Sequence, residues 1–241
     1  MILAAGRGQR MRPLTDAIPK PLLEVGGKPL IVWQIEALVA AGFDDLVINH
    51  AWLGARLEDA LGDGARWGAR IAWSREGEAL ETAGGIVTAL PLIEEGDGRD
   101  RPFVVVSGDI HSDFDYTTLR PMIESIVSRY PVHAAHLVLV DNPSWHAQGD
   151  MALVDGKIVA PRDGQGLPML TYANIAVFHP RVFDGLAPHR SAKLFPWSYA
   201  LADAGRMTGT RFDGEWDNVG TSEQLAALDG RLRNRQVARH G

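Results

Sequence analysis

The residues best suited to chemistry stand at the start of the chain, in MILAAGRGQRMRPLTDAIPKPL, residues 1–22. A short apolar segment leads into Gly6-x-Gly8-x-Arg10, and Lys20 lies between Pro19 and Pro21. Glycines following a strand let backbone N–H groups approach phosphate oxygens. Arg10 and Arg12 could add forked hydrogen bonds, and Lys20 a point charge. Three uses compete: a dinucleotide-binding turn, a triphosphate cradle of another kind, and a basic turn without chemistry. The dinucleotide fingerprint needs a third glycine where Met11 stands, and an acidic residue about 20 positions on at the end of the next strand. A Walker-type loop needs Ser or Thr after Gly-Lys, whereas Gly27-Lys28 is followed by Pro29. The rings on either side of Lys20 stiffen its backbone, which favours the cradle over a merely solvated lysine.

Acidic and amide groups supply the other half of such chemistry. Asp109 ends the valine-rich run from Phe103 to Ser107 and Gly108, and the carboxyl edge of an open α/β sheet is where ligands collect. Asp113 and Asp115 read as turn residues. Near the C-terminus the chain runs Trp216-Asp217-Asn218-Val219-Gly220-Thr221. The eight histidines are scattered and form no H-E-x-x-H pair. The absence of cysteine removes disulfides, thiolate metal sites and cysteine nucleophiles together.

The elements that must carry these residues alternate between strand and helix, which predicts an α/β fold with a mostly parallel sheet covered by helices. Strands are expected at Met1–Ala5, Leu46–Asn49, Arg70–Trp73, Phe103–Ser107, Ala134–Val140, Tyr172–Phe178 and Thr208–Phe212. A hairpin is expected over Met151–Ala160, turning at Asp155-Gly156. Helices are expected at Pro29–Ala41, Leu53–Leu61, Gly85–Leu92, Trp197–Ala204 and Ser222–Arg233. In the first of these, Ile31, Ile35, Leu38 and Val39 share a face, and Gly42 suits the C-terminal cap. The loop Glu94–Arg101 reads as a surface excursion, and the polar tail Arg231–Gly241 as fraying.

The pattern Leu3-Ala4-Ala5-Gly6-x-Gly8-x-Arg10-Met11, followed by Pro13-Leu14-Thr15 and Pro19-Lys20-Pro21-Leu22, resembles the signature of sugar-1-phosphate nucleotidyltransferases. The likeness continues through Val47–His50, Leu80–Gly85 and Gly108-Asp109 to Trp216–Thr221, covering nearly the whole chain. The runs INHAWLG (Ile48–Gly54), LGDG (Leu61–Gly64), EGEALETAGGI (Glu76–Ile86) and LVDNP (Leu139–Pro143) are most similar to the N-acetylmuramate-1-phosphate uridylyltransferases of bacterial cell-wall recycling.

The resemblance implies an α/β, doubly wound, mostly parallel sheet (a Rossmann-like nucleotidyltransferase fold) with a smaller sugar-binding lobe, in one domain, 1–241. Its parts would be a nucleotide-binding portion at 1–111, a sugar-binding lobe at about 112–212, and a metal-site strand end with a C-terminal helix at 213–241. It implies that Leu3, Ala4, Ala5, Gly6, Gly8, Arg10 and Lys20 hold a nucleoside triphosphate, with Arg10, Lys20 and Asp109 catalytic. Glu81, Thr82, Gly84 and Gly85 would form the nucleobase turn. Gly149, Asp150 and Asn174 would line the sugar pocket, where Lys193 is the candidate for the sugar phosphate. Mg²⁺ would be held by Asp109 and by Asn218, with Asp217 in reserve; relatives usually place an aspartate where Asn218 stands, and an amide oxygen can serve. On a strand Asp217 would face the opposite way.

The implied reaction transfers UMP from UTP to N-acetylmuramic acid 1-phosphate, releasing pyrophosphate. The alternatives are another sugar 1-phosphate or base, or a catalytically weak homologue that binds nucleotide-sugar as a regulatory module. A net charge of −6 argues against nucleic acid or an anionic membrane as partner. No apolar run approaches the ~18–20 residues of a membrane span, and the N-terminus lacks a signal-peptide pattern. A cytoplasmic protein, monomeric or weakly dimeric, is expected.

Overall fold

The computed structural model describes residues 1–95, 100–164 and 166–240, with side chains through 238. Residues 96–99, the middle of the expected excursion at Glu94–Arg101, lie outside the described residues. In chain order the strands begin with β1 (Ile2–Leu3), β2 (Glu24–Val25), β3 (Lys28–Pro29), β4 (Asp45–His50), β5 (Arg70–Arg75), β6 (Phe103–Ser107) and β7 (Ile110–Ser112). They continue with β8 (Ala135–Val140), β9 (Met151–Val154), β10 (Lys157–Val159), β11 (Met169–Phe178), β12 (Met207–Arg211) and β13 (Trp216–Asn218). The α-helices are α1 (Leu14–Ala17), α2 (Leu30–Ala40), α3 (Gly54–Leu61), α4 (Glu81–Ile93), α5 (Arg120–Arg129), α6 (Tyr199–Asp203) and α7 (Ser222–His240).

Contacts divide these elements into two compact units. The first comprises Ile2–Leu80, Ser107–Asp115 and Glu215–Gly241. Here β1, β4 and β5 pair in parallel, with Ile2 opposite Ile48 and Asp45 opposite Arg70. α2 is well bounded: Pro29 caps its start, and Gly42, at φ 78°, closes its end while donating to Val39 O. Its buried face includes Leu30, Ile31, Ile35 and Leu38. Gln34 is also buried, and its amide donates to Ile110 O at 3.0 Å, so a polar residue joins the helix to β7.

α7 runs on to His240, although the polar sequence from Arg231 onward suggests fraying. The extra turns are tethered from the side. Leu228 and Leu232 pack with Met11, Leu23, Val25, Leu30 and Val219. Asp229 accepts from Gly26 N–H at 2.8 Å, and Gln236 Nε2 donates to Gly26 O at 2.9 Å. Arg231 pairs with Asp217 and Arg235 with Glu215. Burial of two leucines, each worth about 2–5 kcal/mol against alanine, offsets a composition that would not hold a free helix.

The second unit comprises Met1, Glu81–Val106 and Tyr116–Gly214. It overlaps the lobe expected at about 112–212 and adds Glu81–Val106. Its pairing is mixed: β11 runs antiparallel to β6, β8 and β9, while β12 lies parallel to β8. The expected hairpin is present, with Asp155 and Gly156 both left-handed at φ 49° and 74°. α4 begins at Glu81, four residues before the expected Gly85, so the segment read as a turn is helical. Its glycines are buried, and tertiary packing outweighs their weak helix propensity.

Two buried histidines join the second unit's strands. His133 bonds Ser125 Oγ at 2.9 Å and Thr208 Oγ1 at 2.8 Å. His136 bonds the same Thr208 hydroxyl at 2.8 Å and Thr210 Oγ1 at 3.1 Å. Burial first, and then the neighbouring His133, push the His136 imidazole down to about 4. The folded state therefore takes up a proton less readily than the unfolded chain, whose histidine titrates near 6.5. This contribution is complete above pH 6.5 and is lost as pH falls toward 4, to an extent on the order of 3 kcal/mol. Thermal melts from pH 7 to 4.5 should show the loss, and His136→Gln should flatten its slope by about one proton.

Candidate active site

After β1 the backbone leaves the sheet and turns through Gly8, which adopts φ 66° and precedes a 3-10 turn at Gln9–Met11. Met11 is fully buried and anchors that turn in the core around Leu30 and Leu228. The N–H groups of Gly6, Arg7 and Gly8 donate to no described residue. Such a run of unpaired donors suits an anion. The two glycines have different causes. A Cβ on Gly6 would meet nothing within 4 Å, so no protein atom demands glycine there. A Cβ on Gly8 would lie 3.1 Å from Lys20 and Thr15 carbons, besides the strain of its positive φ. Its bare Cα thus clears space for Lys20 rather than for a ligand.

Three cations surround this loop. Arg7 stacks on Trp52 with Cζ 4.1 Å from the ring, and its Nε is buried without a partner. Trp52 also donates its ring N–H to Thr15 O at 2.8 Å. Arg10 is exposed, has no carboxylate partner among the described residues, and lies beside Gly220. Lys20 opens a 3-10 turn between its two prolines, and its side chain is only 10% exposed. Its ammonium pairs with the Asp109 carboxylate.

Asp109 follows β6 and is held from several directions. Its Oδ1 accepts from Ser107 Oγ at 2.6 Å, and its carbonyl accepts from Val219 N–H at 3.1 Å. The last bond extends the antiparallel ribbon of β7 and β13, in which Asn218 opposes Ile110 and Asp217 opposes His111. Successive strand residues face opposite ways. Accordingly Asp217 is committed to Arg231 of α7, whereas the Asn218 amide bonds no described residue. His111 is buried with its ring edge-on to Trp33 at 5.0 Å, and burial lowers its basicity against the opposing pull of Asp217 and Glu215.

Among the described residues no group of three or more His, Asp or Glu could cage a metal. One carboxylate and one uncommitted amide oxygen are nevertheless hard donors. Mg²⁺ is commonly held by one or two carboxylates with substrate phosphates completing its shell. The donor set fits a cation shared with a polyphosphate rather than a protein-only site.

The remaining expected residues lie in the second unit. Glu81 is exposed at the start of α4, Thr82 is half-buried, and Gly84 and Gly85 are buried. Gly84 donates its N–H to Ala192 O at 3.0 Å, so that group is already used. The same bond fixes the segment carrying Lys193, an exposed lysine with no ion pair among the described residues. Gly149 has φ 65°, and a Cβ there would lie 2.7 Å from Asn142 Oδ1 and 2.9 Å from Leu170 O. Asp150 accepts from Tyr172 N–H at 2.8 Å, bonds His146 Nε2 at 2.9 Å, and receives the Tyr199 hydroxyl on its carbonyl at 2.9 Å. Burial, with the Asp150 charge second, keeps the Tyr199 phenol protonated by pushing it up to about 12. Gly149 and Asp150 thus build the loop through internal contacts. Asn174 differs: it sits at φ 59° in the irregular stretch of β11, and its amide bonds no described residue. Left-handed asparagine within a strand is the kind of strain that collects at ligand sites.

A sequence model of the family described as nucleotidyl transferase matches residues 1–139. A protein of Neisseria meningitidis serogroup B, named N-acetylmuramate alpha-1-phosphate uridylyltransferase, is 47% identical over 225 residues, 92% of each chain. One of the same name from Caulobacter vibrioides is 32% identical over 241 residues, 96% of each chain. A solved structure from Bacillus anthracis, described as a glucose-1-phosphate thymidylyltransferase, superposes with a TM-score of 0.80 at 21% identity, covering 97% of this chain and 94% of that one. That likeness concerns the fold.

The contact between Gly220 and Arg10 gives a test that spares the core. A Cβ on Gly220 would come 2.8 Å from Arg10 Nη2 and 3.2 Å from Gln224 Oε1, both flexible side-chain ends. Gly220→Ala should change stability by no more than about 0.5 kcal/mol. Displacing the guanidinium should weaken triphosphate binding about tenfold, the scale of one charge-assisted hydrogen bond. Calorimetric titration with a nucleoside triphosphate would check this, and unchanged affinity would remove Arg10 from the cradle.

Proposed function

The chain belongs to the nucleotidyl transferase family, and from that premise we propose that it joins UTP with N-acetylmuramic acid 1-phosphate, giving UDP-N-acetylmuramic acid and pyrophosphate. The observation that carries the chemistry is Arg10, a cation without a carboxylate partner among the described residues, beside unpaired N–H groups at Gly6, Arg7 and Gly8. The choice of base and sugar is supported by the names of the Neisseria and Caulobacter proteins, each matched over more than nine-tenths of its length.

In this reaction an oxygen of the sugar phosphate attacks the α-phosphorus of the triphosphate, and the bond to the β-phosphoryl oxygen breaks. The nucleophile is already an anion, so no general base is required. The protein's task is alignment and neutralisation of charge. The loop N–H groups and Arg10 bind the triphosphate. Lys20 leaves Asp109 for a phosphate oxygen and meets the charge that grows on departing pyrophosphate, a role in which one well-placed cation is worth several kcal/mol. Asp109 and Asn218 would hold Mg²⁺, which when bound draws phosphate oxygens together and lowers their charge. Lys193 and Asn174 are assigned to the sugar phosphate and sugar, with Glu81–Gly85 near the base.

The product is a nucleotide-sugar of the kind used in peptidoglycan recycling, which suits a cytoplasmic enzyme. No helix among the described residues is long and apolar enough to cross a membrane. A monomer or weak dimer is proposed for its assembly.

Pyrophosphate release with UTP, GTP, CTP and dTTP against N-acetylmuramic acid, N-acetylglucosamine and glucose 1-phosphates tests the proposal. UTP with the muramic acid phosphate should give the highest kcat/KM, and a higher value for another pair would replace the assignment. Asp109→Ala should lower kcat at least ~100-fold, the loss typical of removing one preorganised electrostatic partner, with circular dichroism unchanged.

A further inference from the structure

Two residues outside the glycine-rich motif are hydrogen-bonded to each other, and one of them to the motif's first turn. Asn49 lies near the end of β4, beside Leu3 of β1, and is almost wholly buried. Its Oδ1 accepts from Ala4 N–H at 2.8 Å, and its Nδ2 donates to Glu76 Oε1 at 2.6 Å. The other Glu76 oxygen accepts from Leu80 N–H at 3.0 Å. The main-chain N–H of Glu76 donates to His50 O at 3.0 Å. One continuous chain of hydrogen bonds therefore runs from the first residue beyond β1 to the residue before α4. Its polarity is fixed at both ends, because Ala4 N–H and Leu80 N–H can only donate.

We infer that Asn49 and Glu76 are positioning residues for the nucleoside triphosphate, holding the turn after β1 and the segment entering α4 at a set spacing. The inference rests on the nucleotidyltransferase reading above. Neither side chain needs to touch the substrate. Ala4 is the last residue before the unpaired donors begin, so the angle at which the chain leaves β1 sets where the Gly6, Arg7 and Gly8 N–H groups point. Leu80 adjoins Glu81, with which the helix assigned to the base begins.

The carboxylate is an unusual choice for a plain staple. Glu76 is about half-buried and has no lysine or arginine partner among the described residues. Burial raises its pKa, against the lowering effect of the Asn49 and Leu80 bonds and of the His50 charge. A neutral glutamine of the same size would avoid that cost, but it presents one acceptor where two donors arrive. Two acceptor oxygens are what the geometry requires.

That donor–acceptor logic supplies its own control. Glu76→Gln leaves either the Asn49 amide or Leu80 N–H unmet. Asn49→Asp keeps the acceptor for Ala4 but sets two carboxylates against each other. The double change Asn49→Asp with Glu76→Gln restores every bond in mirrored form. Aspartate accepts from Ala4 N–H and from the glutamine amide, and the glutamine oxygen accepts from Leu80 N–H.

Each single variant should raise KM for the triphosphate about tenfold or more, with KM for the sugar phosphate within twofold of wild type. The double variant should return KM for the triphosphate to within about threefold of wild type. Failure of the double variant to recover, or equal changes in KM for both substrates, would overturn the positioning role, as would single variants that behave like wild type. Should a single variant not fold, recovery of a folded, fully active double variant supports the relay, and a double variant that does not fold refutes it. The assay uses whichever triphosphate and sugar phosphate wild-type protein turns over. An error in the assigned base or sugar would then appear in the wild-type panel, and an error in the relay only in the variants.

Discussion

A lysine ammonium with little access to water is costly unless an opposite charge stands against it. Lys20 satisfies that condition through Asp109, 89 residues away in sequence. Much of the first unit serves this pair. Pro19 and Pro21 restrict the lysine backbone, and Gly8 leaves room for its stem. Ser107 and Val219 fix the aspartate from either side. Met11, Val219 and Leu228 join the flanking segments in one apolar cluster. In the proposed reaction a polyphosphate entering the loop would compete with the carboxylate for the same ammonium, which the pair holds in place until then.

The two units answer different demands. In the first, β1, β4 and β5 run parallel and end at one edge, where loops can gather backbone donors. In the second, β11 is the organising strand, and its irregularity between Tyr172 and Ala176 turns Asn174 into the left-handed region. The residues proposed for the triphosphate and metal thus belong to the first unit, and those proposed for sugar and base to the second.

Local patterns were legible wherever a covalent constraint expressed itself. The proline-flanked lysine, the Asp155-Gly156 hairpin and the α2 boundaries follow from rules acting over a few residues. That Asp217 and Asn218 face opposite ways follows from strand alternation. What could not be read was long-range. The start of α4 at Glu81 is hidden by glycines that usually break helices. α7 beyond Arg231 is largely polar, and Gly26, Asp217, Glu215 and the cluster around Leu232 meet it from distant parts of the sequence. The contacts of Gly149 and Asp150 with Asn142, Leu170, Tyr172 and His146 have no local signature either. Asn49 and Glu76 carry no local signature, since an amide and a carboxylate 27 residues apart become partners only once β5 is laid beside β4.

The C-terminal helix has a consequence for biosynthesis. Arg10 and Lys20 precede β13 and α7 in chain order, and so leave the ribosome before them. Until β13 and α7 follow, Ile110 has no partner strand, Gly26 lacks Asp229, and Leu30 and Met11 are short of the leucines that cover them. A ribosome that stalls before residue 215 would release a chain bearing the complete glycine-rich motif without the strand that carries Asn218. Such a fragment would leave Met11, Leu23, Val25 and Leu30 without Leu228 and Leu232 over them, apolar surface of the kind that makes incomplete chains prone to aggregate.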